Sequence, residues 1–279
     1  MATVLITGTS KGIGFETALA FGRAGHQVYA TMRNPSQSPS LADTAASEKI
    51  PIKVSAMDVD SDQSVSDAIA AILKEGPIDI LVNNAGVEAV GSVEEIPLSK
   101  FRAIMETNFF GALRSIQPLL PHMRQRRSGC IINVTSVAGR ISIPPMTSYC
   151  ATKWALEALS EGLAGEMKTF NVRVAIVEPG IVSTSMADRI EGTPTKSPYG
   201  QSARFVTLYA NAAKNPVPPS VVANKVLEVA ESGTWQLRHP VGPDAGQFLS
   251  WRRGMKDEDW VDLNAGDDAT FFERLAGAK

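Results

Sequence analysis

The sequence predicts an α/β fold of the doubly wound kind: one parallel sheet of about seven strands with helices on both faces. Two observations predict it. Short apolar runs alternate with longer amphipathic stretches through most of the 279 residues, the pattern of a parallel sheet buried between helical layers. The first apolar run, Val4-Leu5-Ile6, also leads directly into a glycine-rich turn and then a helical pattern, as a strand–turn–helix unit requires. No repeat and no linker interrupts the alternation, so a single domain spanning 1–279 is expected.

The elements follow in order. Strands are expected at 3–7, 27–30, 52–57, 78–83, 130–134, 173–177 and 236–240, each an apolar, β-branched run bounded by polar or turn residues. Helices are expected at 12–24, 64–75, 99–126, 147–169 and 219–232. Pro118 and Pro121 lie inside the third helix and should bend or restart it. Two segments depart from the pattern. Residues 185–219 hold five prolines, Gly192 and Gly200, with Met186, Tyr199, Phe205 and Tyr209 scattered among them. A connection that long in a compact domain reads as a lid. The tail, 242–279, carries Trp251, Trp260, Phe271 and Phe272 among many charges. Such a tail should pack on its own domain or on a neighbouring subunit.

Bulk properties exclude several functions. The 27 basic and 29 acidic residues leave a net charge of −2, which gives no reason to expect nucleic acid or an anionic membrane as partner. Arg124, Arg126 and Arg127 form the one dense basic cluster, read as a solvated helix end. Two cysteines, Cys130 and Cys150, make no disulfide framework and read as small buried fillers. No apolar run reaches the ~18 residues of a membrane span. A soluble, cytoplasmic protein acting on small molecules, with no metal, is expected.

The chemistry is concentrated in one run, Ser148-Tyr149-Cys150-Ala151-Thr152-Lys153. A spacing of i,i+4 sets Tyr149 and Lys153 side by side on one helix face. A phenol of pKa near ~10 is a poor base at neutral pH, and a fixed ammonium nearby favours the phenolate. Ser136, just after the run Ile131-Ile132-Asn133-Val134, ends a strand and can hold the oxygen of a carbonyl or alcohol. Together these are machinery for moving a proton to or from a C–O group. The turn Thr7-Gly8-Thr9-Ser10-Lys11-Gly12-Ile13-Gly14 supplies the other half. Its glycines let the backbone approach a pyrophosphate, and the helix beyond offers free N–H groups and a positive dipole end.

On these motifs the chain resembles the short-chain dehydrogenase/reductase family over residues 4–184. The likeness comprises Thr7 to Gly14, Asp58 before Val59, Asn83-Asn84-Ala85-Gly86, Asn108, Ser136 ahead of Tyr149 and Lys153, and Pro179-Gly180 followed by Thr184, all in the family's order. The resemblance implies a Rossmann-type fold and a nicotinamide cofactor held by Gly8, Ser10, Lys11, Gly12, Ile13 and Gly14. It implies that Asp58 and the Val59 backbone meet adenine, and that Asn84, Ala85 and Gly86 line the ribose. Pro179 and Gly180 are implied to belong to the cofactor site, and Ile181, Val182 and Thr184 to contact the nicotinamide carboxamide. Asn108 is implied to hold a helix kink and a water leading to Lys153; an ordinary helix amide is its alternative. Asp58 as a helix cap before Ser61 is likewise an alternative.

The strand Val28-Tyr29-Ala30-Thr31-Met32-Arg33-Asn34 carries no Asp or Glu to accept a ribose 2′-hydroxyl, and it carries Arg33. Lys11 precedes Gly12. Two cations there suit a 2′-phosphate, and the family's NADP-dependent members use these two positions so; NADP(H) is therefore expected. The other reading is two solvated surface cations. In reduction, the carbonyl oxygen is expected between Ser136 and Tyr149. Tyr149 delivers the proton, while Lys153 tunes it and binds the nicotinamide ribose. Val87, Ala89, Val90, Ile141, Ile143, Met146, Met186, Phe205 and Tyr209 are pocket-wall candidates that read equally as core. The runs around Arg33 and Tyr149 are most similar to the 17β-hydroxysteroid and retinol dehydrogenase branch, implying a bulky hydrophobic ketone or secondary alcohol. The alternatives are an acyl-carrier-protein ketoacyl reductase and a non-catalytic NADP-binding regulator. The glycine-rich C-terminus by which many family members pack as tetramers is absent, which leaves a homo-oligomer open and its form unspecified.

Overall fold

The structure is a computed structural model that describes residues 1–184 and 196–277. Seven strands form one sheet in the order β3-β2-β1-β4-β5-β6-β7, with every neighbouring pair parallel. In chain order they are β1 (Thr3–Thr7), β2 (Gln27–Met32), β3 (Ile52–Ala56), β4 (Ile80–Asn83), β5 (Gly129–Val134), β6 (Val172–Pro179) and β7 (Arg238–Val241). From β1 the chain winds outward to β3, then returns to place β4 on the other side of β1. That reversal is the switch point at which open α/β sheets bind ligands, beyond the carboxyl ends of their strands.

Period-two alternation divides the core. Val4 and Ile6 of β1, with Val28 and Ala30 of β2, face one helical layer built from α1 (Gly12–Arg23) and α9 (Pro219–Glu231). Leu5, Tyr29, Leu81 and Ile131 face the other. That layer holds α3 (Asp62–Glu75), α6 (Leu120–Arg126) and α7 (Thr147–Lys168). Strands buried on both faces explain the nearly continuous apolar runs of the sequence.

Several expectations are corrected. A short helix, α2 (Ser40–Glu48), precedes β3; only Leu41 and Ala45, one turn apart, are buried in it, too few to show a stripe. The helix expected at 99–126 is α4 (Leu98–Met105), one π-helical turn (Glu106–Phe110), α5 (Gly111–Ile116) and α6. The restart falls where the prolines stand, with Pro121 in the first turn of α6. Residues 185–195, the centre of the expected lid, lie outside the described residues. The described remainder is no open loop, because it contains α8 (Gln201–Ala212). The tail folds into α10 (Ala245–Arg253), α11 (Asp257–Ala265) and α12 (Asp268–Gly277). Its aromatic residues pack on their own domain. Trp260 stacks edge-on to Trp251 and joins Val137 and Ile141 in a small core. The Trp260 indole also donates to Ser142 O at 3.0 Å. Among the described residues no helix is long and apolar enough to cross a membrane.

Candidate active site

One cavity of about 320 Å³ runs across the carboxyl ends of β1 to β6. At its first end the glycine turn is built by mutual support between β1 and β4. Thr7 Oγ1 accepts from the Asn84 and Ala85 N–H groups at 3.1 and 3.0 Å. Asn84 Nδ2 donates back to the carbonyls of Thr7 and Gly8, both at 3.0 Å. The Asn84 side chain thus holds the turn in shape, although its part of the chain lines the cavity. Two glycines are dictated by this closeness. A Cβ on Gly8, whose φ is +71°, would stand 2.7 Å from Ala85 Cα, and one on Gly14 would stand 2.3 Å from Gly8 O. α1 begins at Gly12 with no side-chain cap on its first N–H groups, which leaves donors for an anion at the helix start.

Around this end stand the residues that follow the neighbouring strands. Met32 and Arg33 follow β2, and Asp58, Val59 and Asp60 follow β3. Lys11 and Arg33 are exposed on the rim. Asp58 does not cap α3: Ser61 does, accepting from Ser64 N at 3.2 Å. Among the described residues, Asp58 Oδ1 accepts within its own turn, from Asp60 N at 3.2 Å.

At the other end, Ser136 closes β5, while Tyr149 and Lys153 come from the first turns of α7. All three line the cavity, and Tyr149 and Lys153 are 8% and 5% exposed. Ser136 Oγ accepts from Ala138 N at 3.1 Å and donates to Pro179 O at 3.3 Å. Lys153 Nζ donates to Val134 O at 3.0 Å and lies 5.7 Å from the Tyr149 ring centroid. Burial raises the Tyr149 pKa, the charges of Glu88 and Cys150 raise it further, and the Ser136 hydroxyl alone opposes them. Burial likewise pushes Lys153 down to about 8, opposed by Glu157. The expected lowering of the phenol by Lys153 is therefore outweighed: the ammonium is spent on the β5 carbonyl, and desolvation dominates both groups. Glu157 is itself fixed, accepting from Thr135 Oγ1 at 2.7 Å and from Arg238 Nε at 2.9 Å.

Asn108 sits in the π turn, 1% exposed, and does not line the cavity. Its amide exchanges two 2.8 Å bonds with the Val87 backbone and donates to Thr152 Oγ1 at 2.9 Å. It clamps the segment after β4 to α7 from behind the site. Pro179, Gly180, Ile181, Val182, Thr184 and Met146 line the cavity; Met186 lies outside the described residues. Of the other apolar candidates, Val87, Ile141, Ile143 and Tyr209 reach the cavity, whereas Ala89 and Val90 do not line it and Phe205 is core, 2% exposed.

The sequence reading missed Glu88, Thr135, Leu208 and Phe248 of the lining. It also missed Asp244, whose Oδ2 takes the Ile181 N–H at 2.7 Å. Glu88 stands two residues beyond Gly86, so its place beside the motif was a usable signal. Phe248 and Asp244 arrive from the tail, and no local pattern marks them.

A glycine turn at the switch point, opening on a serine, a tyrosine and a lysine, is the arrangement of nicotinamide-dependent oxidoreductases of the Rossmann type. Known proteins agree: a family model described as short chain dehydrogenase matches residues 2–194, and the chain belongs to that family. Estradiol 17-beta-dehydrogenase 1 of Rattus norvegicus is 38% identical over 243 residues, covering 85% of this chain and 70% of that protein. The crystal structure of a short-chain dehydrogenase from Streptomyces avermitilis matches with a TM-score of 0.80 and 31% identity, over 99% of this chain and 97% of the other. A single-substitution variant of actinorhodin polyketide ketoreductase, solved with NADPH, matches with a TM-score of 0.79 and 26% identity, over 88% and 97% of the two chains.

Proposed function

We propose that this protein is an NADP(H)-dependent oxidoreductase acting on a ketone or secondary alcohol of largely apolar character. The observation that carries the reading is one cavity that joins the glycine turn to Ser136, Tyr149 and Lys153. The residues present fit a dinucleotide. The turn cannot admit a side chain at Gly8 or Gly14, and α1 offers uncapped donors at its start. When bound, the cofactor supplies or takes the hydride.

The protein's own groups do the rest. Ser136 Oγ holds the substrate oxygen. Tyr149 Oη donates its proton to that oxygen in reduction and removes it in oxidation. Lys153 stays close to the phenol on the same helix face, and as an ammonium it stabilises the phenolate that proton transfer leaves. The apolar wall of Ile141, Ile143, Met146, Leu208 and Phe248 excludes water and takes the body of the substrate. A wall of this kind supports the steroid- and retinoid-like branch over a polar substrate.

Choice of NADP(H) rests on Arg33 and Lys11 at the rim, on the absence of an acid at the end of β2, and on the NADPH-bound neighbour. Arg33→Asp removes a charge-assisted partner of the 2′-phosphate and adds a repelling carboxylate. One such bond is worth roughly 1.5–3 kcal/mol, and 1.4 kcal/mol is about tenfold. The specificity constant for NADPH should fall by about one to two orders of magnitude, while that for NADH holds or rises. A wild type that prefers NADH, or an unchanged ratio in the variant, would contradict the cofactor reading.

A further inference from the structure

The cavity has two chemically different ends. The end at the glycine turn carries Lys11, Arg33, Asp58 and Asp60. Beyond Lys153 the lining is mainly aliphatic and aromatic, with the hydroxyls of Ser136, Tyr149 and Tyr209. One ionisable carboxylate, Glu88, joins them among the described residues. Glu88 is 9% exposed, and placing a carboxylate in so apolar a wall is costly without compensating partners.

The backbone on both sides of Glu88 is held tightly. Val87 has its N–H and its carbonyl both bonded to the buried Asn108 amide at 2.8 Å. The Ala89 carbonyl accepts from Ser148 Oγ at 3.2 Å, and Ser148 is the residue before Tyr149. Gly91 N donates to Pro145 O at 3.0 Å. These bonds fix residues 87–91 against the start of α7, so Glu88 is registered beside the tyrosine rather than carried on a free loop. Two phenols report the closeness. Burial raises Tyr149 and Tyr209, and in each the Glu88 charge is the next cause in the same direction. An ionised carboxylate only accepts hydrogen bonds, and it offers about four lone-pair sites. Glu88 can therefore keep a protein partner and still accept from a ligand.

We propose that Glu88 determines substrate class at this site, selecting ketones and alcohols that bear an ammonium or hydroxyl group on a carbon near the reacting one, with an apolar remainder. The donor pairs with the carboxylate while the carbonyl oxygen lies at Ser136 and Tyr149. A substrate with its own carboxylate in that place is repelled. The inference rests on the oxidoreductase reading above and narrows it.

The test compares matched ketones with NADPH at pH 6.5: α-aminoacetophenone, α-hydroxyacetophenone and propiophenone, together with the same three head groups on a decyl chain. An α-ammonium also activates a carbonyl intrinsically, so the deciding quantity is how the ratio of kcat/KM changes between wild type and Glu88→Gln. The preference for the amino ketone over its plain counterpart should fall by about ten- to a hundredfold in Glu88→Gln, the worth of one charged hydrogen bond. It should fall less for the hydroxy ketone, and less in Glu88→Asp, which keeps the charge. NADPH affinity and melting temperature, measured on the same variants, show whether the fold is retained; if Glu88→Gln fails to fold, Glu88→Ser, which also removes the carboxylate, carries the comparison. Turnover with an unchanged ratio in the folded variant overturns this inference alone. Absence of turnover for every ketone in wild type overturns the oxidoreductase reading, and this inference with it.

Discussion

Lys153 shows how one side chain carries two opposed demands. The proposed mechanism uses its ammonium, yet the side chain is 5% exposed and burial pushes its pKa from 10.5 to about 8, against the pull of Glu157. The folded protein therefore holds this proton less tightly than the unfolded chain. Between pH values of about 8 and 10.5 the unfolded state binds more protons, so the contribution of Lys153 to stability rises with pH across that window. Below it, both states are charged and the full cost of the buried ammonium is present. Lys153→Met should accordingly melt higher than wild type at pH 7, and the gap should shrink by pH 10; thermal unfolding at the two pH values measures it. A gap that is the same at both would show that Lys153 is not destabilised by burial. At this scale much was legible from the sequence. Ser136, Tyr149 and Lys153 could be picked out because the chemistry needs those groups at helical and strand-end spacing. Their relative energies could not, because desolvation depends on neighbours such as Val134 and Glu88 that only the folded chain brings close.

Among the elements, the glycine turn is the most constrained. It is narrow because Asn84 ties β4 to the carbonyls of Thr7 and Gly8, and α1 passes directly beneath. In Gly14→Ala the new methyl would stand 2.3 Å from Gly8 O and 2.4 Å from Asn84 Nδ2. Forced overpacking costs typically about 1–3 kcal/mol. For a chain of this size the melting temperature should fall by several degrees, with weaker NADPH binding because the turn itself must shift. An alanine variant with unchanged melting temperature and affinity would mean that the turn is looser than described. Elements with strong periodicity, β1, α1, α3 and α7, were readable almost to the residue. α2 was not, since Leu41 and Ala45 are its only buried residues. α8 was concealed by the prolines around it, and the π turn by an unbroken helical pattern. There only Asn108, through the family likeness, gave a sign of the bend.

Across the whole molecule, the reversal of strand order between β1 and β4 decides where function sits. It gathers the ends of six strands along one cavity, so residues as far apart as Gly8 and Thr184 line a common wall. The tail completes that wall. Arg204 of α8, itself 6% exposed, is tied to Asp268 at 2.7 Å and to Asn264 O at 3.0 Å, while Phe248 of α10 reaches the cavity. Apolar residues in a tail look alike whether they cover a core, a partner or a substrate, which is why Phe248 was not read as lining. Everything proposed for this cavity depends on proton transfer by Tyr149. Purified wild type and Tyr149→Phe should be compared for ketone-dependent NADPH oxidation, with NADPH affinity measured on both. The ring still packs in the variant, so affinity should be nearly unchanged. Turnover should fall by about 10²–10⁴-fold, the usual worth of a positioned acid. A folded, NADPH-binding Tyr149→Phe that keeps more than a few per cent of wild-type turnover would contradict that role.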